Sequence, residues 1–259
     1  MIRSLNTAAT GMAAQQTNMD TIANNIANSQ TTGFKASRAE FEDLLYQTQK
    51  EPGALTGENA ISPTGVQVGL GVRTGAVQKD FTEGNVTITR APLDLMIEGP
   101  GFFRVQTPDG QIAYTRDGSF KRDGTGKIID KNGNVLQPEV TIPPGSTGIE
   151  ISNTGQVRVK QGNAENTVGN LTIVNFVNPA GLKSVGKNIY LATPSSGQPI
   201  DVAPGQQGTG YLEQGQLETS NVNIANEMVN MILAQRAYET NSKVIQASDQ
   251  MLQSTVNMK

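Results

Sequence analysis

The side chains that most often perform catalysis are absent from this sequence or isolated within it. The 259 residues include no His and no Cys, which removes the commonest general base, thiol catalysis and the transition-metal sites built on those ligands. Asp94 and Glu98 fall on one face of a predicted strand, as two glycosidase carboxylates could, but nothing else marks a site beside them. Asp109, Asp117 and Asp123 each precede a Gly, which is typical of turns.

Two further patterns have part of an enzyme motif without its context. Ser184 and Lys187 have the spacing of Ser–Lys acyl-transfer enzymes, but that motif needs its Ser at the start of a helix, and Gly181 and Gly186 flank this stretch. The Gly69-Leu70-Gly71 segment lacks the third Gly of a dinucleotide-binding loop. We therefore predict that the protein is not an enzyme and has no catalytic residue, metal site or cofactor.

The strongest periodic pattern lies near the C-terminal end, from residue 220 to about residue 256. Neither Pro nor Gly interrupts this stretch. Its apolar residues recur at every seventh position, with Met228 beside them: Ile224, Met231, Tyr238, Ile245 and Leu252. A sustained seven-residue repeat indicates one long helix that packs against a partner helix in a left-handed supercoil.

A second heptad pattern at the N-terminal end is the predicted partner. Between residues 1 and 32 only Arg3 and Asp20 are charged. The apolar row follows spacings of three and four: Ile2, Leu5, Ala9, Met12, Gln16, Met19, Ala23 and Ile26. A helix with amides and hydroxyls in place of surface charges is suited to burial against other protein, where an unpaired charge is costly. We predict that the two apolar rows form a self-assembly seam and that the helices become ordered only when packed.

The middle of the chain has the pattern of strands and turns. Short Val, Ile and aromatic runs between residues 81 and 212 are separated by dipeptides such as Asp123-Gly124 and Asn132-Gly133, which favour antiparallel hairpins. Residues 51–75 are rich in Gly, Thr and Pro but too long for a slack loop. The predicted fold class is α+β, with paired helical ends, an extended arm and an inserted Gly-rich antiparallel β domain. The predicted bounds are 1–45 for the N-terminal helical segment, 46–80 for the arm or hairpin, 81–214 for the β domain and 215–259 for the C-terminal helix.

Composition narrows the class of protein. Hydrophobic residues make up 36% of the chain and aromatic residues 5%, with no Trp, which is thin for one large core and favours slim β units or a fold that depends on assembly. The net charge of -3 and the lack of a basic cluster argue against a nucleic-acid partner. The sequence shows neither an apolar run long enough to span a membrane nor the apolar core of a cleaved signal peptide.

Several blocks, in order and spacing, resemble the bacterial flagellar rod and hook axial proteins. The N-terminal blocks are Met1-Ile2-Arg3-Ser4-Leu5, Ala23-Asn24-Asn25-Ile26-Ala27-Asn28 and Thr31-Thr32-Gly33-Phe34-Lys35. The C-terminal blocks are Ser220-Asn221-Val222-Asn223, Glu227-Met228-Val229-Asn230-Met231-Ile232 and Gln235-Arg236-Ala237-Tyr238-Glu239. Two internal blocks, at residues 63–72 and 80–85, resemble the distal rod branch of that family.

The resemblance implies a structural subunit of the distal rod, which self-assembles into a helical tube and transmits torque from motor to hook. The implied partners are further copies of the chain, proximal rod proteins, the hook protein and surrounding ring proteins, with no direct membrane span. The implied location is the flagellar basal body, where the rod crosses the periplasm after type III export without a cleaved signal peptide. Two alternatives stay open: a proximal rod or hook subunit of the same family, and a secreted β-rich protein that acts on the cell wall.

Overall fold

A computed structural model describes residues 2–51, 55–57, 60–61, 64–162 and 164–257. The chain divides into two compact units, which we call the helical unit and the β unit. The helical unit consists of Met1–Ile26, Ser37–Gln78 and Asn223–Lys259, and the β unit of Ala27–Ala36 and Lys79–Val222. The predicted α+β fold class is confirmed. Part of the predicted arm, at residues 52–54, 58–59 and 62–63, lies outside the described residues.

The helical unit contains the two terminal helices, α1 (Ile2–Ala27) and α2 (Ile224–Asn257). They contact each other in antiparallel fashion at three levels. Ser4 Oγ lies 3.4 Å from Ser248 Oγ, a Cβ added at Gly11 would lie 2.9 Å from Asn241 Nδ2, and Asn25 Nδ2 donates to Glu227 Oε1 at 3.5 Å. Moving a given number of residues forward along α1 moves the contact back by the same number of residues along α2. The two helices therefore keep one register from Ser4 to Asn25. The predicted pairing of the chain ends is therefore seen within a single molecule.

The start of α2 has a side-chain cap. Asn223 precedes the helix, and its Oδ1 accepts a hydrogen bond from the Asn226 N–H at 3.2 Å. The Asn223 carbonyl accepts from the Glu227 N–H at 3.0 Å. Asn is among the preferred residues for this position because its short side chain satisfies a helix N–H that has no intrahelical partner. The helix begins here rather than at the predicted residue 215, because residues 216–218 form a strand of the β unit.

The first helix ends at Ala27, well before the predicted limit of residue 45. Thr31 and Thr32 are weak helix formers, and Gly33 adopts a φ of +67°, which a right-handed helix cannot contain. The apolar residues that suggested a longer helix lie in and after a strand, where Phe41 is exposed and Leu45 is 84% exposed. A short apolar run does not distinguish a helix from a strand.

Six strands between residues 37 and 79 pair as a nested hairpin. Its first half carries β1 (Ser37–Asp43), β2 (Tyr46–Lys50) and β3 (Leu55–Gly57), and its second half carries β4 (Ala60–Ile61), β5 (Val66–Gly69) and β6 (Val72–Lys79). The pairs are nested, with β1 on β6, β2 on β5 and β3 on β4. The hairpin therefore begins at Ser37, earlier than the predicted residue 46.

The β unit contains sixteen strands among its described residues, all paired antiparallel where a register is given, and a 3-10 turn at Pro179–Gly181. Its first eight strands are β7 (Val86–Ile88), β8 (Leu95–Glu98), β9 (Phe103–Gln106), β10 (Ile112–Thr115), β11 (Lys121–Arg122), β12 (Ile128–Ile129), β13 (Val135–Gln137) and β14 (Gly148–Ile151). The remaining eight are β15 (Gln156–Gln161), β16 (Ala164–Asn170), β17 (Ile173–Asn175), β18 (Lys183–Gly186), β19 (Ile189–Leu191), β20 (Ile200–Val202), β21 (Tyr211–Gln214) and β22 (Gln216–Glu218).

The largest sheet of the β unit has the order β11-β12-β13-β9-β10-β19-β18. Adjacent residues on its central strands enter two different cores: Ala113 and Ile189 pack in an aliphatic cluster, whereas Tyr114 and Tyr190 pack in a smaller aromatic cluster. Successive side chains of a strand point to opposite faces, so this alternation places one core on each face of the sheet. Smaller pairs flank it, including β8 with β21 and β7 with β22.

Four turns of the β unit share one geometry, at residues 107–111, 123–127, 130–134 and 152–156. In each, the first N–H donates to the fifth carbonyl, and the N–H of a Gly in the fourth position donates to the first carbonyl. This Gly has a φ between +81° and +89°. The sequence located these turns, but at 123–127 the residue with the left-handed conformation is Gly126 and not Gly124.

We expect Gly126→Ala to destabilise the β unit by about 1–3 kcal/mol, because a Cβ there is strained at φ +89° and would lie 2.3 Å from the Ile142 carbonyl oxygen. Gly124→Ala, in the same turn, is the matched control. Its Cβ meets nothing within 4 Å, so we expect no loss and a gain of at most about 1 kcal/mol. Urea unfolding measures both, and equal losses in the two variants would contradict the assignment.

Candidate assembly surface and buried charge cluster

The face of α1 that contacts α2 is not its apolar row. The side chains buried on this helix are Ala8, Ala14, Thr21, Ile22 and Asn25. The predicted row lies one position along from most of them: Leu5, Met12, Met19 and Ile26 are half-buried, Ala9 is exposed, and the side chain of Ile2 lies outside the described part. One residue is a rotation of about 100° around a helix, so the row stands beside the contact face. Most of its apolar surface is thus only partly covered within the molecule.

On α2 the heptad pattern coincides with the contact face. Ala234 and Ser248 are buried there, and Met231, Ile245 and Leu252 of the predicted row are half-buried. The other predicted members of the row, Ile224, Met228 and Tyr238, are exposed.

A patch of exposed apolar residues occupies the first three turns of α2. It consists of Ile224, Met228, Val229, Ile232 and Leu233, which are between 44% and 62% exposed, and we call it the α2 patch. Val229, Ile232 and Leu233 fall outside the heptad and were therefore not among the predicted seam residues. A helix segment with apolar residues on several sides could have indicated that more than one face is covered by other protein. Exposed apolar patches of this kind are typical of protein interaction surfaces.

The contacts between the helices use small and polar side chains. Asn25, a residue of the family block, is 1% exposed, and it binds the backbone of Ser37 by donating to its carbonyl and accepting from its N–H, each at 2.8 Å. Burial raises the pKa of Glu227, and the hydrogen bond from Asn25 opposes that rise. Because this seam is satisfied by amides, hydroxyls and Gly11, the large apolar side chains are left partly or fully exposed.

The remaining family-block residues differ in their surroundings. Gly33, Phe34 and Lys35 are buried, Asn28 and Thr32 are half-buried, and Ala23, Asn24 and Ala27 are exposed. A Cβ on Gly33 would lie 2.6 Å from the Asp117 backbone nitrogen, which makes Gly a steric requirement at this φ. The Gly33 N–H donates to the Glu218 carbonyl at 2.9 Å, and Asn188 Nδ2 donates to the Thr32 carbonyl at 2.8 Å. The block at residues 31–35 therefore belongs to the β unit.

Lys35 is part of a buried charge cluster with Arg116 and Glu218, whose side chains are 0%, 3% and 1% exposed. Lys35 Nζ donates to Glu218 Oε1 and to the Thr82 carbonyl, both at 2.5 Å. Arg116 Nε lies 3.0 Å from Glu218 Oε2, and Arg116 also donates to the carbonyls of Gly99 and Gly101. One carboxylate is thus shared by two cations.

The cluster contains two cations, Lys35 and Arg116, and one carboxylate, Glu218, so its charges do not cancel. Burial lowers the pKa of Lys35, the negative charge of Glu218 opposes that shift, and the positive charge of Arg116 adds to it. Lys79 lies nearby with its Nζ 5.0 Å from the centre of the Phe34 ring, and burial lowers its pKa as well. The arrangement holds chain segments together and presents no free nucleophile or base to solvent.

The residues that resembled parts of enzyme motifs occupy structural positions. Ser184 lies in the exposed strand β18 and not at a helix start, and Lys187 follows in a turn with a φ of +54°. Asp117 Oδ1 accepts from Ser119, and its Oδ2 pairs with Lys131 at 2.6 Å. Within the described ranges no group of three or more acidic side chains is placed to hold a metal ion. Neither described helix is long and apolar enough to cross a membrane.

Comparison with known proteins assigns the family. Three family models match: "Flagella basal body rod protein" at residues 5–35, "Flagellar hook protein FlgE/F/G D1 domain" at 96–159 and "Flagellar basal body rod FlgEFG protein C-terminal" at 213–258. The "Flagellar basal-body rod protein FlgG" of Buchnera aphidicola subsp. Schizaphis graminum is 51% identical over 98% of each chain. The proteins of that name from Borreliella burgdorferi and Caulobacter vibrioides are 49% and 47% identical, over 100% of this chain and 99% and 100% of theirs.

This chain belongs to the flagellar basal-body rod protein family. The resemblance seen in the sequence is confirmed, and with it a place in the flagellar basal body. The family-model match at 5–35 contains α1 from Leu5 onward and Lys35, and the match at 213–258 contains Glu218 and the α2 patch. The two rod-protein family models therefore include both the exposed apolar surface and the two residues that pair in the charge cluster.

We expect Glu218→Gln to be the most damaging change in the cluster, at about 3–5 kcal/mol, because it leaves two buried cations without a carboxylate. Lys35→Met removes one ion pair and its hydrogen bonds but leaves Glu218 and Arg116 paired one to one, so it should cost about 1–3 kcal/mol. Chemical unfolding of the full chain gives the order. Lys127→Met, in an exposed ion pair with Glu139, is the control and should change stability by at most about 1 kcal/mol. A larger loss for Lys35→Met than for Glu218→Gln would refute this account.

The aromatic core predicts a loss of stability at high pH. Burial raises the pKa of Tyr190 from its ordinary 10.0 to about 12, against the opposing positive charge of Arg116. Between these values the unfolded chain releases a proton that the folded chain retains, so stability falls as pH rises. This one group lowers the free energy of unfolding by about 2.3 kcal/mol at pH 12, toward a limit of about 2.7 kcal/mol above it. Tyr190→Phe should remove that part of the slope, measured by urea unfolding at pH 9 to 12, and an identical slope in both proteins would exclude the effect.

Proposed function

We propose that the chain is a structural subunit of the distal flagellar rod, which assembles into a helical tube and transmits torque from motor to hook. The observation that carries this proposal is the exposed α2 patch, on a helix whose opposite face is already occupied by α1. Full-length identity of about half to relatives named as basal-body rod proteins supports the same conclusion.

The distribution of apolar surface favours an open assembly. The α2 patch and the half-buried row of α1 are different surfaces of the helical unit, so contact between them in two copies is head-to-tail. Head-to-tail contacts that do not close on themselves generate helical filaments. Between residues 1 and 32 only Arg3 and Asp20 are charged, which keeps the desolvation cost of packing α1 low. The predicted seam residues are therefore retained as the assembly surface, with Val229, Ile232 and Leu233 added.

The wider context follows from this role. The proposed partners are further copies of the chain, the proximal rod proteins, the hook protein and the surrounding ring proteins, with no nucleic acid. The proposed location is the part of the rod that crosses the periplasm, reached by export without a cleaved signal peptide. Torque would pass through many lateral contacts at once, so the protein needs no catalytic residue and no cofactor. A proximal rod or hook subunit is the alternative, and the full-length relatives at about half identity that are named FlgG favour the distal rod.

We expect Met228→Asp to raise the concentration needed for assembly at least about tenfold, because burial of a Met side chain contributes about 1.5–3 kcal/mol and a carboxylate there would be desolvated. Met228 is 56% exposed within one molecule, so the fold should be unaffected. Electron microscopy and sedimentation of concentrated protein measure assembly, and circular dichroism checks the fold. Gln246→Asp, which adds the same charge at another exposed position of α2, is the control.

Assembly should also slow amide exchange in both terminal helices. Each helix leaves apolar side chains in water until neighbours cover them, so exchange in α1 is expected to be fast in dilute protein and slow in tubes. Tubes formed equally well by Met228→Asp, or no tubes from the parent chain at any concentration, would overturn the proposed function.

A further inference from the structure

Three chain segments of the β unit are tied together by side chains. Lys35 Nζ donates to the Thr82 carbonyl and to Glu218, whose Oε1 also accepts from the Gly84 N–H at 2.9 Å. Asn221 Oδ1 accepts from the Ala36 N–H at 2.7 Å, and its Nδ2 donates to the Asp80 carbonyl at 3.0 Å. We call the set of Lys35, Glu218 and Asn221 the clasp. It joins the segments at 33–36, 80–84 and 218–221.

The clasp lies where the chain passes between the two units. The chain crosses between the units four times: it enters the β unit at Ala27, leaves after Ala36, enters again at Lys79 and leaves again after Val222. The last three of these crossings are each within a few residues of a clasp contact. The tie is reinforced by the backbone, because the Asp80 N–H donates to the Ala36 carbonyl at 2.8 Å. A pull along the chain at any one of these three crossings therefore reaches the same cluster of bonds.

We propose that the clasp is the element through which force carried along the chain enters the β unit, by sharing a pull on any one of the last three crossings among these three. This inference rests on the proposed torque-transmitting function. Bonds that join several segments at one point must break together, whereas the bonds of a single strand pulled at its end break one after another. The Lys35 and Glu218 side chains are almost fully buried, so water and salt screen their attraction only weakly.

The chemistry of the clasp favours a mechanical role over a purely stabilising one. Burying ions removes their hydration, and this cost offsets most of their attraction, so an apolar contact of similar volume often gives equal stability. What buried ionic and amide groups add is fixed direction and fixed partners. That property suits a joint which must keep three segments in place under load.

Pulling on single molecules tests the clasp without requiring assembly. The chain has no native Cys, so handles can be attached at introduced cysteines. In one geometry Arg236→Cys of the helical unit and Lys183→Cys of the β unit place the crossings under load. In the other, Lys160→Cys and Lys183→Cys load the β unit internally. All three positions are exposed.

The test compares Lys35→Met/Glu218→Gln, which removes the ionic tie, with Lys127→Met/Glu139→Gln, which removes an exposed ion pair of the same unit away from the crossings. We expect the clasp variant to lower the opening force across the crossings about twofold and to change the internal geometry much less, because only the first pull is shared by the clasp. Asn221→Ala keeps the buried charges and should show the same directional loss if the double variant folds poorly.

Equal loss in both pulling geometries would mean that the clasp only stabilises the unit, and it would overturn the inference. No loss in either geometry would overturn it as well. If the clasp variant shows the directional loss but the parent chain never forms tubes, the proposed function is refuted and the clasp remains a mechanical element of the β unit. Tubes with no directional effect would retain the rod subunit and refute the clasp.

Discussion

The seam between α1 and α2 is the constraint on which the assembly surface depends. It is made of small and polar side chains, Ser4 against Ser248, Gly11 against Asn241 and Asn25 against Glu227. Such residues let two helices approach closely and fix their register, because an amide or carboxylate that slips out of register loses its partner. The large apolar side chains take no leading part in this contact. They stay at the surface of the helical unit, where a neighbouring molecule can cover them.

The heptad pattern of α2 coincides with the face that contacts α1, whereas the heptad pattern of α1 lies beside the face that contacts α2. On α2 the heptad of Met231, Ile245 and Leu252 lies on the same helix face as the buried small residues Ala234 and Ser248, and this is the face toward α1. On α1 the apolar row predicts the contact face, whereas the contact passes through Gly11 and Asn25, each one position before a member of the row. Hydrophobic patterns identify a face that avoids water and do not show which neighbour covers it. The end of α1 was missed for a related reason, since Phe41 and Leu45 lie in and after a strand of the exposed hairpin.

The buried cluster could not be predicted from the sequence, because its members are far apart along the chain. Lys35, Arg116 and Glu218 meet only when the β unit closes, and no spacing rule connects a Lys in a short family block to a Glu at the end of β22. The structure also shows that the N-terminal family blocks divide between two tasks. Asn25 organises the helical unit, whereas Gly33 and Lys35 are parts of the β unit. Two blocks that are neighbours in sequence thus belong to two different units.

Charge is used in opposite ways in the two units, and each use fits the environment. Between residues 1 and 32 ions are almost excluded, so packing this segment against other protein requires little desolvation. In the β unit three ions are buried together, with a carboxylate and backbone carbonyls to satisfy the two cations. The first arrangement leaves contacts between molecules adaptable, because apolar side chains tolerate small shifts of their neighbours. The second fixes particular atoms in one geometry, because a buried charge that moves from its partners is costly. A subunit that must join many neighbours and still hold its own chain segments in place requires both.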